Sequence, residues 1–168
     1  MALSLSDATL PTYRRILTSL SEMIAKAEAH AAAHHYDPSV LLTERLFPDM
    51  WPFARQVQQT TALMVRGTCR LAGIAIPSFD DSRIGFDDLR SRIAETAAFL
   101  DNLDTAALDA GETRVVTFPA GGEQKSMSGL QYLQTFTLPN VWFHATTAYN
   151  ILRHNGVPLR KSDFTGPL

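Results

Sequence analysis

The chain has 168 residues, 45% hydrophobic and 19% charged, which suits a globular protein long enough to bury one sizeable core. Its formal net charge of -2 lacks the basic excess that phosphate binding needs, which argues against nucleic acid as a partner. The N-terminus lacks a basic region followed by an apolar run, and no apolar run approaches the ~18 residues that span a bilayer. A single cysteine, Cys69, excludes an internal disulfide and favours a reducing, cytoplasmic location.

Helical periodicity dominates the first half of the chain. A first helix is predicted to begin near Ser6 or Asp7, either of which can accept hydrogen bonds from helix-start amides. Its apolar stripe runs from Leu10 to Ala31 at three-to-four spacing. The sequence "DPSVLLTERL", residues 37–46, predicts a short second helix. A long helix follows from Pro48 to Ala72 and ends at Gly73. On it Gln58 lies in the inward stripe, and the outer face is assigned to Arg55, Gln59, Arg66 and Arg70.

The period changes in the second half. Helical spacing runs from Phe86 to Leu103 and is interrupted around residues 101–112. "TRVVTF" and "EQKSM" flank the turn "PAGG", which predicts a two-stranded hairpin. Ser126 or Ser128 can then cap a last long helix that continues to Asn155, with a bend expected at Pro139. The pattern indicates an all-α fold in one domain over residues 1–168, an antiparallel four-helix bundle with a small β-hairpin before the last helix. Residues 157–168 are expected to pack along its surface.

Two histidines lie on the last predicted helix, and they differ in environment. His144 and His154 are ten residues apart, so they differ by ~280° in direction and ~15 Å in height and cannot bind one ion. His154 precedes Asn155 and Gly156, a helix stop at which a basic residue faces the negative end of the dipole. His144 continues the inward stripe and therefore needs a hydrogen-bond partner or a metal. Asn140, one turn earlier, and Gln58 on the facing helix are the expected partners, and a purely structural histidine stays open as the alternative.

Other candidate groups have simpler explanations. Trp51, Tyr149 and neighbouring aromatics can line a ligand pocket near His144, although aromatics at helical spacing are more often core. His30 and His34 have the i, i+4 spacing of a metal pair but no third ligand, which favours a surface helix end. Cys69 is predicted to be an apolar filler without a depressed pKa. Three acidic residues are assigned to solvated faces or caps: Glu95, Asp101 and Asp104.

The last helix, "PNVWFHATTAYNILRHNGVPLRKSDF", with the upstream "FPDMWPFARQVQ" and "DPSVLLTERL", resembles an uncharacterised bacterial family of the DinB/YfiT-like superfamily. The resemblance covers nearly the whole chain. It implies a DinB-like four-helix bundle, often dimeric, whose relatives include thiol-dependent transferases and isomerases. Their nickel or zinc is held by three histidines, one on the second helix and an HxxxH pair on the fourth.

The chain departs from this histidine pattern. The first HxxxH position is Asn140, only His144 is retained, and Gln58 stands nearest the second-helix ligand. One imidazole with two amides is a weak transition-metal site. We therefore expect small-ligand binding, or a structural homodimer in which His144 is core, ahead of an enzyme. The alternative is a metal- or thiol-dependent transferase that uses His144 as a nickel or zinc ligand or as a base. No membrane partner is expected, and the cofactor is none or one divalent metal.

Overall fold

The structure, a computed structural model, describes residues 3–166. The predictions for the two chain ends include Met1, Ala2, Pro167 and Leu168, which lie outside the described residues. A π-helical turn, Leu133–Thr137, connects the short helix Gly129–Tyr132 to the long helix Leu138–His154. The other elements are α1 Leu5–Ala33, α2 Val40–Thr43, α3 Phe53–Ala72, α4 Phe86–Asp101, α5 Thr105–Asp109, β1 Val115–Ala120, β2 Glu123–Ser128, α6 Gly129–Tyr132, α7 Leu138–His154 and α8 Lys161–Thr165.

The four long helices, α1, α3, α4 and α7, surround one hydrophobic core. Helix α3 packs against both α7 and α4, and α1 packs against the same two helices from the other side. The stripe predicted on α1 is confirmed, since Tyr13, Met23 and Ile24 are fully buried. Burial of such side chains contributes roughly 1.5–3 kcal/mol each, which holds these amphipathic helices together. No helix within residues 3–166 is long and apolar enough to cross a bilayer.

Several helix ends differ from the sequence-based predictions. Helix α1 is capped by Ser4, whose Oγ accepts from the Asp7 amide at 3.0 Å, instead of by Ser6 or Asp7. The side chain of Ser6 hydrogen-bonds to Asp109 in α5. Helix α3 begins at Phe53, because Pro52 lacks an amide hydrogen and takes an extended conformation as the N-cap. Helix α2 stops at Thr43, three residues before the predicted end.

The predicted hairpin is confirmed, with a shorter turn than expected. Strands β1 and β2 pair antiparallel from Val115↔Ser128 to Ala120↔Glu123, so the connection is the two-residue turn Gly121-Gly122. Phe118 points into the core from β1. Ser128, not Ser126, caps the following helix and accepts from the Gln131 amide at 3.3 Å. The hairpin thereby sets the position at which the last helical segment starts.

Pro139 is accommodated through a π turn. The Leu138 amide donates to the Leu133 carbonyl, five residues back, so the irregular geometry lies at Leu133–Thr137, immediately before the proline. A proline inside a helix lacks a donor and clashes with the carbonyl four residues earlier, and the wider turn relieves both conflicts. Helix α7 then continues to His154, one residue short of the predicted end.

Candidate functional site

His144 is the centre of the candidate site and is half-buried on α7. Its Nδ1 lies 2.7 Å from Oε1 of Gln56, a side chain on α3 that is only 1% exposed. The Gln56 amide has a fixed orientation, since its Nε2 donates to the Trp51 carbonyl at 2.9 Å. Oε1 must therefore accept, and His144 carries its proton on Nδ1. The second ring nitrogen, Nε2, is left with a lone pair.

The imidazole is neutral at physiological pH. Burial, and to a smaller extent the positive charge of Arg55, lower the pKa of His144 to about 4. Within residues 3–166, Nε2 of His144 makes no hydrogen bond. The ring thus offers one unused acceptor of fixed tautomer, which can take a hydrogen bond from a bound molecule.

Aromatic rings surround this acceptor. Trp51 stacks on His144 with the ring centroids 5.5 Å apart and the planes 17° from parallel. Phe143 meets the imidazole edge-on at 5.2 Å. Trp51 and Phe143 stay 47% and 54% exposed, so the imidazole lies beside apolar surface that reaches solvent. The Arg55 guanidinium lies 5.5 Å from the centre of the Trp51 ring.

Asn140 does not pair with His144, contrary to the expectation. Its Nδ2 donates to the Phe136 carbonyl at 2.7 Å, four residues back along the same helix. Asn102 and Asn155 make the same contact with the carbonyl four residues back, so it does not depend on Pro139. The Asn140 side chain is therefore engaged within its own helix instead of with His144.

Gln58 also lies away from His144. Two residues along a helix correspond to ~200°, so Gln58 emerges from α3 almost opposite Gln56. Its Nε2 donates to the carbonyls of Asp81 at 3.1 Å and Arg83 at 3.0 Å. Gln58 therefore anchors the segment of residues 73–85, called here the 73–85 loop, and the expected His144–Gln58 pairing is replaced by His144–Gln56.

The remaining aromatic candidate, Tyr149, belongs to another part of the surface. Its ring packs against Phe164 of α8 with centroids 5.8 Å apart, and Trp142 contacts the same phenylalanine at 6.0 Å. Tyr149 is five residues from His144, which places it ~140° around α7. Of the five predicted site residues, the structure brings together only Trp51 and His144.

Sequence reasoning missed Gln56, although its position carries a signal. Phe53 lies three residues before it and Thr60 four residues after it, and both are fully buried. A polar residue between two inward neighbours on one helix face needs a buried partner. The assignment of Gln59 to the outer face is also wrong, since Gln59 is 7% exposed.

The residues around His144 do not fit a three-histidine nickel or zinc centre. His144 supplies one imidazole nitrogen, while the amides of Gln56 and Asn140 are already engaged in other hydrogen bonds. Within residues 3–166, no group of three or more His, Cys, Asp or Glu side chains is placed to hold a metal ion. Amide oxygens are poor ligands for these metals, so the donor set is inadequate.

The other candidate groups match their structural explanations. The rings of His30 and His34 lie 4.1 Å apart, and Nδ1 of His34 is 2.8 Å from the His30 carbonyl oxygen, which occupies that nitrogen. Cys69 is buried, and burial raises the pKa of its thiol to about 11, which makes it a poor nucleophile. His154 stands in the last turn of α7, before Gly156 with its φ of 87°.

Comparison with known proteins places the chain in a family. Residues 5–165 match the profile described as "Domain of unknown function (DUF1993)". The crystal structure of a DinB family member protein from Shewanella denitrificans is 35% identical and superimposes with a TM-score of 0.91, covering 98% of this chain and 93% of that one. Curated proteins provide no match. The chain therefore belongs to the DUF1993 family, and its mostly helical fold is that of a DinB-like protein.

Proposed function

We propose that this protein binds a small neutral molecule at His144, through a hydrogen bond from the ligand to Nε2. The observation that carries the proposal is the chain of hydrogen bonds from His144 to Gln56 to the Trp51 carbonyl, which fixes the proton on Nδ1. The exposed faces of Trp51 and Phe143 supply apolar contact on either side. Hydroxyl and thiol groups are the ligand donors that match a single neutral acceptor.

Binding is favoured over general-base catalysis by the environment of the ring. An efficient general base has a pKa near the working pH, whereas the pKa of His144 is about 4. The nearby positive charge of Arg55 also disfavours a cationic ligand. Protonation would turn Nε2 from an acceptor into a donor, so ligand binding should weaken as the pH falls toward 4.

The test is an NMR titration with small aromatic alcohols and thiols, benzyl alcohol and benzyl thiol being the probes. Both should shift the resonances of His144 and of the Trp51 indole, and His144→Phe should abolish saturable binding. His154→Phe, at an exposed helix end, is the matched control and should bind as the wild type does. Probe binding that survives in His144→Phe would contradict the proposal.

Metal content tests the remaining alternative, a nickel- or zinc-dependent or thiol-dependent transferase. The untagged protein should contain far less than one equivalent of either metal by mass spectrometry, because one imidazole nitrogen is a weak site. If the protein contains stoichiometric metal and His144→Ala loses it, the proposal of a metal-free binding site would be wrong. The transferase would then be the better explanation.

A homodimer is the second candidate function, favoured by the same exposed aromatic surface. Trp51 and Phe143 leave about half of their surface in solvent, and such rings are enriched in protein interfaces. If a second copy covers them, sedimentation should show a dimer that Trp51→Ser and Phe143→Ser dissociate. A monomer at high concentration would remove this function and leave the site free for a small ligand.

We also propose that the chain forms one domain, built as an antiparallel four-helix bundle. As expected from the sequence, we propose in addition that the protein is cytoplasmic. The support is the closed set of contacts among α1, α3, α4 and α7 and the single buried core that they share. Spin-label distances between helix ends test the antiparallel arrangement. The C-terminal end of each long helix should lie close to the N-terminal end of the next long helix in the chain.

A further inference from the structure

A cavity lies on the flank of α3 that faces away from His144. It is enclosed by α3, α4 and the 73–85 loop and has a volume of about 270 Å³. Val65, Phe79 and Phe99 form apolar walls, and Arg92 reaches it from α4. This volume lies just below the range of ~300–1,000 Å³ that is usual for ligand pockets, which restricts a ligand to a small molecule.

Arg92 is a buried charge with unused hydrogen-bonding capacity. The residue is 8% exposed, and its guanidinium has five N–H groups. Nε donates to Thr61 Oγ1 at 2.8 Å and Nη2 donates to the Gln58 carbonyl at 3.3 Å. Nη1 pairs with Asp81 Oδ1 at 2.9 Å, so one N–H of Nη1 and one of Nη2 have no partner within residues 3–166.

The positive charge beside the cavity is only partly neutralised. Asp81 is shared between two arginines, since its other oxygen lies 2.5 Å from Arg55 Nη1. Burial lowers the pKa of Arg92, Asp81 opposes this, and the charges of Arg55 and Arg66 lower it further. Asp81 thus serves two arginines, and the exposed carboxylate of Asp80 also interacts with Arg92, so a ligand carboxylate at Arg92 would add to this partial neutralisation.

Phe79 forms the roof of the cavity and is held in place from both sides. The guanidinium of Arg92 lies 4.8 Å and that of Arg66 lies 5.4 Å from the centre of the phenylalanine ring. Gln58 fixes the loop immediately after this ring through the Asp81 and Arg83 carbonyls. The roof is therefore built without the ligand, which lowers the entropic cost of binding.

The mouth of the cavity limits the charge of a ligand. Asp80 and Glu95 line it as exposed carboxylates, while Asp88 is paired with Arg83 at 2.8 Å. A phosphate ester or a dicarboxylate would place its additional charge beside these carboxylates and be repelled. A single carboxylate can instead reach Arg92 with its charge directed inward and its apolar part toward the walls.

We propose that this cavity binds a small organic monocarboxylate with an apolar or aromatic body, its carboxylate accepting hydrogen bonds from Arg92 and its body lying between Phe79 and Phe99. Nη1 and the remaining Nη2 N–H are the donors. The site is separate from His144, because Gln58 and Gln56 hold the two regions on opposite sides of α3, and Arg55 is the residue that contacts both.

Phenylacetate is the probe for the test, with phenethylamine as a probe of similar size and opposite charge. In NMR titrations, phenylacetate should bind saturably, shift the resonances of Phe79 and Phe99, and bind more weakly at high salt. Phenethylamine should bind at least about ten-fold more weakly, the factor expected for loss of a charge-assisted hydrogen bond. Equal binding of the amine, or no saturable binding of phenylacetate, would overturn the proposal.

Variants assign the binding to the cavity. Arg92→Gln should weaken phenylacetate about ten-fold or more. Phe79→Ala, which keeps the Arg92–Asp81 pair, provides a second test if Arg92→Gln does not fold, and it should also weaken binding several-fold. Arg90→Gln is the matched control on the same helix, since Arg90 pairs with Glu28 of α1 outside the cavity. Unchanged affinity in Phe79→Ala, or equal loss in Arg90→Gln, would contradict the assignment.

Discussion

Two buried glutamines in the first turns of α3, Gln56 and Gln58, face opposite flanks of the helix and have different roles. Gln56 and Gln58 are each 1% exposed and only two positions apart. Gln56 accepts from His144 and fixes the protonation of a ring, whereas Gln58 donates to two loop carbonyls and fixes the path of the backbone. A rotation of ~200° between them explains the difference, so a buried amide has a role set by the element that it faces.

The flanks also differ in charge. The His144 flank, defined by His144, Gln56 and Trp51, holds a neutral ring whose hydrogen-bond partner is the amide of Gln56. The loop flank, defined by Asp81, Arg92 and the 73–85 loop, holds an ion-pair network. Arg55 links them, because it pairs with Asp81 and also lies over Trp51. Burial raises the pKa of Asp81. The hydrogen bond and charge of Arg55, together with Arg92, outweigh this effect and hold that pKa below its ordinary value.

The largest expected effect is on the loop flank. Asp81→Ala leaves Arg92, whose side chain is 10% exposed, without its counter-ion. We expect the free energy of unfolding to fall by about 2–3 kcal/mol, below the range for a fully buried pair because Asp81 is partly exposed. Urea denaturation measures the loss. Asp87→Ala is the control, since the Asp87 side chain is 94% exposed and its pair with Arg90 should contribute under ~0.5 kcal/mol.

The His144 flank should give the protein a distinctive pH dependence. The folded-state pKa of His144 is about 4, against ~6.5 in the unfolded chain, so protons bind the unfolded chain first as the pH falls. The free energy of unfolding should therefore decrease between about pH 6.5 and pH 4. We expect a loss of about 2 kcal/mol, less than the full shift implies, because the ring is partly exposed.

A pair of variants assigns this pH dependence to His144. His144→Asn keeps a donor for Gln56 but cannot titrate, so its stability should be nearly flat across that range in urea denaturation. His154→Asn removes an exposed histidine and should keep the wild-type slope. A slope that is the same in both variants would show that other groups cause the loss.

The two glutamines provide a direct separation of the flanks. Gln56→Ala and Gln58→Ala should each lower the free energy of unfolding by about 1–2 kcal/mol, since each leaves buried partners unpaired. Gln56→Ala should change the His144 tautomer and leave phenylacetate binding intact. Gln58→Ala should weaken phenylacetate and leave the tautomer unchanged, and NMR reads both properties. If each variant altered both properties equally, the flanks would be a single site.

The smallest effect is expected far from both flanks, at the end of α7. Gly156 has a φ of 87°, a backbone conformation that a β-branched residue adopts with strain. A Cβ there would meet the His30 ring at ordinary contact distances, 3.6 Å to Nε2 and 3.8 Å to Cε1, so backbone strain is the main cost. Gly156→Val should lower stability by about 1 kcal/mol or more in thermal unfolding, with both flanks unaffected. Unchanged melting would show that the positive φ is not required.

Much of the fold follows from local rules in the sequence. Periodicity, turn glycines and capping residues predicted the apolar stripes of α1 and α3, the hairpin around Gly121-Gly122 and the stop at Gly156. They narrowed the cap of the last helical segment to Ser126 or Ser128, of which the structure selects Ser128. Helix starts were less predictable. Ser4, Ser6 and Asp7 can all cap a helix, and the choice depends on the contact of Ser6 with Asp109, a residue distant in the chain.

The site was less predictable, because it depends on which helix faces meet. The sequence indicated His144 and Trp51 but not the partner, since the rotation of α3 relative to α7 decides between Gln56 and Gln58. Asn140 appeared to be an inward polar residue at helical spacing, yet its side chain hydrogen-bonds to the Phe136 carbonyl of its own helix. The role of Asp81 was not predictable, because the 73–85 loop has no period that indicates its contacts.

The most direct test of the account is the protonation state of His144. A long-range proton–nitrogen correlation spectrum at about pH 7 distinguishes the two neutral tautomers from the imidazolium. We predict the Nδ1–H tautomer with an unprotonated Nε2, persisting until the pH falls to about 4 and lost in Gln56→Ala. An imidazolium at neutral pH, or the Nε2–H tautomer in the wild type, would contradict the proposed acceptor and the binding function built on it.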